Sequence, residues 1–417
     1  MDSILIQGGK ALCGQVHLRG AKNAALPLMA ASILADSPCV LHNVPCLHDI
    51  FSMDKLLTHM GTAIEFTGRY MTIDTTPIVT PNAPYDLVRK MRASFFVLGP
   101  LLARFNKARV SLPGGCAIGT RPVDIHLKGL EAMGATITLD AGYVVAEGRL
   151  NGTTYALDFP SVGATETLIM AASKAKGTTR LINVAREPEI EDLALFLNAM
   201  GAQIQGMGTD TITITGVEEL KGVEHTVIPD RIEAGTFLIA GAATHGDVTV
   251  LQAEEKHLTG FLEKLHESGA TVETSNNNIR VAAPNGIHAV DLITRPFPGF
   301  PTDLQAQMMA LLACAPGNST IKETVFENRF MQASELNRMG ASIELAGNTA
   351  IIQGVPALKG APVMASDLRA SAALVIAGLS APEGETKVQR VYHIDRGYER
   401  IEERLAALGA TIQRVRE

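Results

Sequence analysis

The segment Ser111–Ile125 carries residue types that suit chemistry more than structure. It reads S-L-P-G-G-C-A-I-G-T-R-P-V-D-I, and its glycines and prolines predict a loop that approaches a ligand. Cys116 lies there without apolar periodicity around it, and Arg121 follows in the same loop. A cation near an accessible thiol favours the reactive thiolate. Cys116 is therefore a candidate reactive group, and the alternative is an incidental loop thiol.

Cationic side chains stand at the starts of three predicted apolar helices, at Lys22, Arg92 and Arg369. The helix dipole disfavours a cation at that end. An external anion would resolve the conflict, because phosphate or carboxylate accepts hydrogen bonds from both the helix N–H groups and the cations. The pattern predicts a shared anion site. The alternative is that each cation pairs with a nearby acid, as Arg369 could with Asp367.

Three other charged residues fall at predicted helix starts. Asp303 follows the turn P-F-P-G-F-P-T and is a candidate general base, with an N-cap as the alternative. Asp124 starts the helix after the cysteine loop, where it could be a simple cap. Arg396 is predicted to open the last amphipathic helix, and its alternative is a pair with Asp395 or Glu399.

Several common signatures are missing from the sequence. It contains no G-x-x-x-x-G-K-[ST] phosphate loop, no G-x-G-x-x-G after a strand, no H-E-x-x-H and no C-x-x-C. The sequence therefore predicts no nucleotide hydrolysis, no cofactor and no tightly held metal.

The elements that position these residues come from one unit repeated six times at intervals of about 70 residues. Each unit has a small-residue apolar helix, a β-branched strand, an amphipathic helix and a strand pair. The amphipathic helix is predicted to stop at a glycine. These glycines are Gly61, Gly134, Gly201, Gly269, Gly340 and Gly409.

The sixth unit has only one of its two closing strands, Thr411–Glu417. Ile4–Gly8 reads I-L-I-Q-G, which matches A-I-I-Q-G from Ala350 in the fifth unit. We therefore expect the N-terminal segment to complete the sixth unit. This arrangement predicts an α/β (α+β) fold of two domains with three repeats each, 21–228 and 1–20 plus 229–417. Two crossing strands suit hinge closure over a cleft, and a single six-unit ring is the alternative.

Composition limits the class of protein. The chain has 417 residues, a net charge of −7, 46% hydrophobic residues and five cysteines. These values indicate a soluble globular protein with neither a nucleic acid nor an anionic membrane as its main partner. No secretory signal, membrane-spanning run or disulfide spacing is evident, so a cytoplasmic location is expected.

Ordered motifs along nearly the whole chain resemble the UDP-N-acetylglucosamine 1-carboxyvinyltransferase family. Besides the cysteine loop they are G-A-K-N-A-A-L-P from Gly20, R-A-S from Arg92, S-V-G-A-T-E-T from Ser161, A-R-E-P-E-I from Ala185, F-P-T-D-L-Q-A-Q from Phe300, E-T-V-F-E-N-R-F-M from Glu323, D-L-R-A-S from Asp367 and Y-H-I-D-R-G-Y-E-R from Tyr392.

The resemblance implies a two-domain inside-out α/β barrel and the transfer of the enolpyruvyl group of phosphoenolpyruvate to the 3′-hydroxyl of UDP-N-acetylglucosamine. Phosphate is released by addition and elimination. In the family this is the first committed step of peptidoglycan precursor synthesis, and so serves cell-wall growth, cell shape and division.

The resemblance also implies roles for individual residues. Cys116 would be the acid and covalent-adduct residue that fosfomycin alkylates, and Asp303 the base. Lys22, Arg121 and Arg396 would hold phosphate and carboxylate, whereas Asp367 and Arg369 would support them. The sugar-nucleotide contacts would be Asn23, Arg92, Arg121, Pro122, Val123, Asp124, Ile125, Ser161, Val162, Gly163 and Val325. Where many relatives have a lysine before the serine, this chain has Phe159-Pro160, which puts an ionic diphosphate contact there in doubt.

Two alternatives stay open beside this interpretation. A shikimate-3-phosphate enolpyruvyl transferase shares the fold but does not need the loop thiol. A non-catalytic UDP-sugar-binding paralogue would be expected to lack Cys116, Asp303, Lys22 or Arg396, and all four are present.

Overall fold

The computed structural model describes residues 2–78, 80–89, 91–113 and 123–416. The described chain forms two compact units. We call residues 2–19 and 229–416 the terminal unit, and residues 20–113 and 123–228 (without 79 and 90) the middle unit.

Helices account for the interior of both units. The described α-helices are α1 (Lys22–Ala31), α2 (His48–Met60), α3 (Tyr85–Val88), α4 (Leu98–Phe105), α5 (Asp124–Ala132), α6 (Val162–Ala172), α7 (Pro188–Ala199), α8 (Arg231–Ala243), α9 (Thr259–Glu267), α10 (Gln305–Leu312), α11 (Gln332–Arg338), α12 (Leu368–Ser380) and α13 (Ile401–Ala407). Short 3₁₀ helices occupy Ser32–Leu34, Arg92–Val97, Glu255–His257, Thr302–Leu304 and Val391–Arg396.

Strands form the sheets around these helices. The described strands are β1 (Asp2–Gln7), β2 (Cys13–His17), β3 (Cys39–His42), β4 (Ala63–Thr67), β5 (Tyr70–Asp74), β6 (Asn82–Ala83), β7 (Lys107–Ser111), β8 (Thr136–Asp140), β9 (Tyr143–Glu147), β10 (Thr154–Ala156), β11 (Thr178–Ile182), β12 (Gln203–Gln205), β13 (Thr211–Thr215), β14 (Glu224–Thr226), β15 (Asp247–Leu251), β16 (Thr271–Ser275), β17 (Asn278–Ala282), β18 (Leu292–Ile293), β19 (Asn318–Lys322), β20 (Ser342–Ala346), β21 (Thr349–Gln353), β22 (Pro362–Met364), β23 (Thr386–Gln389) and β24 (Thr411–Arg416).

Within the described chain, the strands form six four-stranded sheets with one shared topology. In β10-β11-β13-β12, for example, a short strand runs parallel to its neighbour and a hairpin follows antiparallel. Three sheets belong to each unit. This agreement confirms the predicted α/β fold of six repeats.

The N-terminal strand completes the sixth sheet, as expected. β1 lies between β23 and β24 and pairs antiparallel with both, from Asp2 opposite Arg416 to Gln7 opposite Thr411. Its Ile4 and Ile6 side chains are fully buried. The first residues of the chain are thus part of the hydrophobic core of the terminal unit.

Each unit is built around three helices that are buried on nearly every side: α1, α4 and α6 in the middle unit, and α8, α10 and α12 in the terminal unit. Their small residues allow close helix packing. At Gly99 of α4, an added Cβ would clash with the Thr167 carbonyl oxygen of α6. The six apolar helices predicted from the repeats therefore lie in the interiors of the two compact units, three in each.

The repeat glycines have the predicted role. All six have positive φ, from 93° at Gly269 to 111° at Gly201, and each follows the end of an amphipathic helix. This left-handed conformation costs a glycine little, and it lets the chain leave the helix toward the hairpin.

Two predicted helix starts were wrong. The apolar helix expected to start beside Arg92 begins as the 3₁₀ turn Arg92–Val97, and α4 starts only at Leu98. Pro100 fits this start because the first helical turn needs no N–H from it. Arg396 ends the 3₁₀ helix Val391–Arg396 and does not open α13, which begins after Arg400. Arg400 has φ 44°, a left-handed conformation that interrupts a right-handed helix.

Candidate active site

Three of the predicted site residues, Cys116, Arg121 and Pro122, lie outside the described residues. The remaining predicted residues divide between the two units. Lys22, Asn23, Arg92, Val123, Asp124, Ile125, Ser161, Val162 and Gly163 belong to the middle unit. Asp303, Val325, Asp367, Arg369 and Arg396 belong to the terminal unit.

Lys22 and Asn23 are the first two residues of α1. The Lys22 ammonium lies 3.1 Å from a carboxylate oxygen of Asp49, at the start of α2. Both side chains are largely buried, with 13% and 4% of their surfaces exposed. Lys22 therefore pairs with an acid in the structure, which was the alternative to anion binding. The sequence interpretation did not identify this acid, Asp49.

The starts of α5 and α6 come together in the middle unit. Val123 is the N-cap of α5, Asp124 and Ile125 are its first residues, and Ser161 caps α6 by accepting a hydrogen bond from Ala164 N. Val162 and Gly163 follow the cap of α6. An added Cβ on Gly163 would lie 3.3 Å from His126 Cε1 of α5, so only a small residue fits there.

Asp124 is not the cap of α5, so the capping alternative was wrong. Val123 holds that position, with no side-chain hydrogen bond. The Asp124 carboxylate instead lies 3.8 Å from the Lys128 ammonium, one turn along the helix.

His126 connects this region to Arg92. The imidazole Nδ1 lies 3.0 Å from the Thr167 hydroxyl of α6. Burial, and then the positive charge of Arg92, lower the pKa of His126 to about 3. His126 is therefore neutral at physiological pH.

Asp303 is the centre of an ion-pair cluster in the terminal unit. Its Oδ1 accepts a hydrogen bond from Arg329 Nη2 at 2.6 Å, and its Oδ2 accepts one from Arg369 Nη2 at 2.8 Å. Both arginine side chains are almost completely buried, with 4% and 6% exposed. Asp303 lies in the 3₁₀ turn Thr302–Leu304 and caps no helix, so the N-cap alternative was wrong.

The environment of Asp303 keeps its carboxylate ionised. Burial raises its pKa, but the charges of Arg369 and Arg329 and their hydrogen bonds outweigh burial, and the pKa falls well below its usual value. Arg369 pairs with Asp303 and not with the predicted Asp367. Asp367 instead caps α12, since its Oδ1 accepts hydrogen bonds from Arg369 N and Ala370 N.

Two other predicted residues lie in connecting segments of the terminal unit. Val325 donates its backbone N–H to Glu323 Oε1 at 2.8 Å, and the other oxygen of Glu323 accepts from the Thr302 hydroxyl at 2.9 Å. Glu323 thereby links the Val325 segment to the turn that carries Asp303. Arg396 follows Asp395, whose two oxygens accept hydrogen bonds from Arg414 at 2.5 and 2.9 Å.

The structure therefore brings Asp303 and Arg369 together, and it adds residues that sequence reasoning missed. Arg329 and Tyr398 occur in the quoted motifs E-T-V-F-E-N-R-F-M and Y-H-I-D-R-G-Y-E-R, and that was the only signal for them. None of the described helices is long and apolar enough to cross a membrane.

Comparison with known proteins identifies the family. Residues 6–405 match the family model of EPSP synthase (3-phosphoshikimate 1-carboxyvinyltransferase). A protein of Desulfosudis oleivorans named UDP-N-acetylglucosamine 1-carboxyvinyltransferase is 56% identical over 416 residues, with 100% of both chains covered. A protein of Granulibacter bethesdensis with the same name is also 56% identical, over 420 residues and 100% of both chains.

Solved structures agree with this assignment. The enolpyruvyl transferase NikO from Streptomyces tendae superimposes with a TM-score of 0.89 at 26% identity, covering 99% of this chain and 98% of NikO. An EPSP synthase from Acinetobacter baumannii has a TM-score of 0.76 at 20% identity over 100% of both chains, a likeness that concerns the fold alone. These matches confirm the predicted fold class, the inside-out α/β barrel type. The chain belongs to the EPSP synthase (3-phosphoshikimate 1-carboxyvinyltransferase) family.

Proposed function

We propose that the chain is a transferase that moves the enolpyruvyl group of phosphoenolpyruvate to the 3′-hydroxyl of UDP-N-acetylglucosamine and releases phosphate. The observation that carries this proposal is the 56% identity over the full length to relatives with that substrate in their names. Solved EPSP synthases are similar at only 20% identity, which favours the sugar nucleotide over shikimate 3-phosphate as the acceptor.

The chemistry needs one proton donor and one proton acceptor. The Cys116 thiol gives its proton to the methylene carbon of phosphoenolpyruvate, while the sugar hydroxyl oxygen bonds to the neighbouring carbon and releases its own proton. Asp303 accepts that proton. The Cys116 thiolate then takes one proton back from the new methyl group as phosphate departs, which restores the double bond, and Asp303 releases its proton to solvent. The charges of Arg369 and Arg329 keep the pKa of Asp303 well below its usual value despite burial, so its carboxylate is in the basic form that can accept a proton.

The cations stabilise the negative charge of the reacting molecule. Lys22, Arg121 and Arg396 bind its phosphate and carboxylate, and Arg369 contributes charge beside Asp303. In the Asp303 cluster two almost completely buried guanidinium groups face one carboxylate. The three groups together therefore carry a net positive charge. The starts of α5 and α6, with Asn23 and Val325, contact the sugar nucleotide.

The proposal includes a division into two domains, one of residues 21–228 and one of residues 1–20 and 229–417. It also includes a cytoplasmic location, because phosphoenolpyruvate and nucleotide sugars are cytoplasmic metabolites. The step it assigns to the chain is the first committed one in peptidoglycan precursor synthesis.

Phosphate release from the purified protein with both substrates tests the proposal, combined with a mass spectrum of the intact chain. We expect turnover in the wild type, and a covalent three-carbon adduct that is absent from Cys116→Ser. The matched control is Cys13→Ser, an exposed cysteine on β2, which should keep both. Turnover with shikimate 3-phosphate instead would reassign the acceptor, and binding of the sugar nucleotide without turnover would make the chain a non-catalytic paralogue.

A further inference from the structure

A chain of hydrogen bonds behind Asp303 joins the three central helices of the terminal unit. Arg369 of α12 donates from Nη1 to the Tyr398 hydroxyl at 3.2 Å, in addition to its bond to Asp303. The Tyr398 hydroxyl lies 2.8 Å from the Thr236 hydroxyl of α8 and accepts from Gln307 Nε2 of α10 at 3.2 Å. Tyr398 is 1% exposed, so water does not compete for these bonds.

The chemistry of arginine fixes the direction of the bond that matters here. A guanidinium group only donates hydrogen bonds, whereas a phenol oxygen can accept them through its lone pairs. Arg369 is therefore the donor and Tyr398 the acceptor. Gln307 Nε2 lies within hydrogen-bond distance of the Tyr398 hydroxyl, the Thr236 hydroxyl and the Asp303 carbonyl, and the Thr236 hydroxyl donates to the Ile232 carbonyl at 2.8 Å.

The Asp303 carboxylate is held by one arginine on each side. Each oxygen of Asp303 accepts from a different guanidinium group, Arg329 on one side and Arg369 on the other. Such charge-assisted bonds are short and directional, so together they restrict rotation of the carboxylate plane. Arg329 comes from the segment before α11, and its guanidinium also lies 5.1 Å from the Phe326 ring centre.

Few charged groups of the described residues surround Asp303. Arg369 and Arg329 contact it directly, and the carboxylate of Glu323 reaches the neighbouring Thr302. Asp230, the cap of α8, influences Arg369 and Tyr398 electrostatically. Because Arg329 supplies one of the two contacting positive charges, removing it must raise the proton affinity of Asp303.

We propose that Arg329 and Tyr398 are positioning residues for the transfer reaction: Arg329 directly, and Tyr398 through Arg369, hold the Asp303 carboxylate in one orientation toward the acceptor hydroxyl. This assignment rests on the proposed function, since it takes Asp303 as the proton acceptor. Neither residue needs to touch the substrate to have this effect.

Kinetics of three variants over a range of pH test the assignment. Arg329→Gln should lower kcat about 10- to 100-fold, as expected for a reacting group misplaced by about 1 Å. It should also move the acidic limb of the kcat profile upward by about one pH unit or more, because one adjacent arginine is lost. KM for the sugar nucleotide should change far less than kcat.

The conservative variants separate orientation from charge. Arg329→Lys keeps the charge but loses the planar fork, so kcat should fall while the acidic limb stays near that of the wild type. Tyr398→Phe keeps the ring in its buried place and removes only the acceptor for Arg369, so it should lower kcat in the same way. The matched control is Arg280→Gln on β17, which pairs with two surface carboxylates and should leave the profile unchanged.

A titration of the Asp303 carboxyl does not depend on enzymatic activity. It therefore distinguishes a failure of the positioning assignment from a failure of the proposed function. In protein with ¹³C-labelled aspartate carboxyls, the signal missing from Asp303→Asn should titrate at higher pH in Arg329→Gln than in the wild type. If the wild type shows no transfer, the proposed function fails while this titration still reports on Arg329. Unchanged kcat and an unchanged Asp303 titration in folded Arg329→Gln would overturn the assignment.

Discussion

Two carboxylates in this protein, Asp303 and Glu166, have opposite environments. Asp303 is held by two arginines and is stabilised in its ionised form. Glu166, on α6, is 1% exposed, and one of its oxygens has no hydrogen-bond partner among the described residues. Burial raises the pKa of Glu166 well above its usual value, and the nearby carboxylates of Glu189 and Glu187 raise it further. The ionised Asp303 carboxylate can accept a proton, whereas the environment of Glu166 favours its protonated form.

Glu166→Gln should therefore stabilise the protein increasingly as pH rises. A raised folded-state pKa contributes stability that is complete below the unfolded pKa, 4.5, and is lost as pH rises through the folded value. Glutamine cannot ionise, so the variant avoids this loss. We expect the difference in Tm between variant and wild type to grow from about pH 5 to about pH 8. The exposed Glu131→Gln on α5 is the control, and a difference in Tm that is constant with pH would contradict the prediction.

The central helices depend on glycines at their contacts. Gly99 on α4 faces the Thr167 backbone carbonyl of α6, which cannot move without shifting the helix. Gly129 on α5 also faces α6, but an added Cβ there would meet the methyl groups of Leu168 at 2.5 and 2.6 Å. A flexible side chain can rotate away, whereas a backbone carbonyl cannot. The same substitution thus has different consequences at two contacts of one helix.

Gly99→Ala should destabilise the middle unit by about 1–3 kcal/mol, the usual cost of overpacking, although alanine is the better helix former. Gly129→Ala should be close to neutral, because the gain in helix propensity of about 1 kcal/mol offsets the displacement of Leu168. Urea unfolding of both variants measures the difference. Equal stabilities of the two variants would show that helices α4 and α6 can separate without cost.

The whole chain is arranged so that its first strand completes its last sheet. Ile6 on β1 lies opposite Thr386, the first residue of β23. Ile73 on β5 has the equivalent position in another sheet, opposite Cys39, the first residue of β3. Both isoleucines are fully buried, one in each unit. They occupy equivalent positions in two sheets, but the strand opposite Ile6 is far away along the chain and the strand opposite Ile73 is near.

Ile6→Ala should destabilise the terminal unit by about 2–5 kcal/mol, with faster amide exchange in β23 and β24 and little change in the middle unit. Ile73→Ala should cost a similar amount but increase exchange in β3 and β4 of the middle unit. Hydrogen exchange read by mass spectrometry resolves the two patterns. Faster exchange in the middle unit after Ile6→Ala would contradict the independence of the two cores.

The sequence by itself determined the repeat, the buried helices, the glycine helix ends and the pairing of the N-terminal strand. These features depend on local patterns, hydrophobic periodicity and internal similarity, all of which are visible along the chain. The family resemblance was also visible, since its motifs are continuous segments. Asp303 and Arg369 could be selected for the same reason.

Only the tertiary structure decided which charges meet. Asp303 pairs with Arg329 and Arg369, which are 26 and 66 residues away, and Lys22 pairs with Asp49, 27 residues away. The sequence offered Asp367 as the partner of Arg369 because it is only two positions away, but the Asp367 side chain instead caps the helix that contains Arg369. Ion pairing depends on separation in space, which the packing of elements within each unit sets and which no local pattern contains.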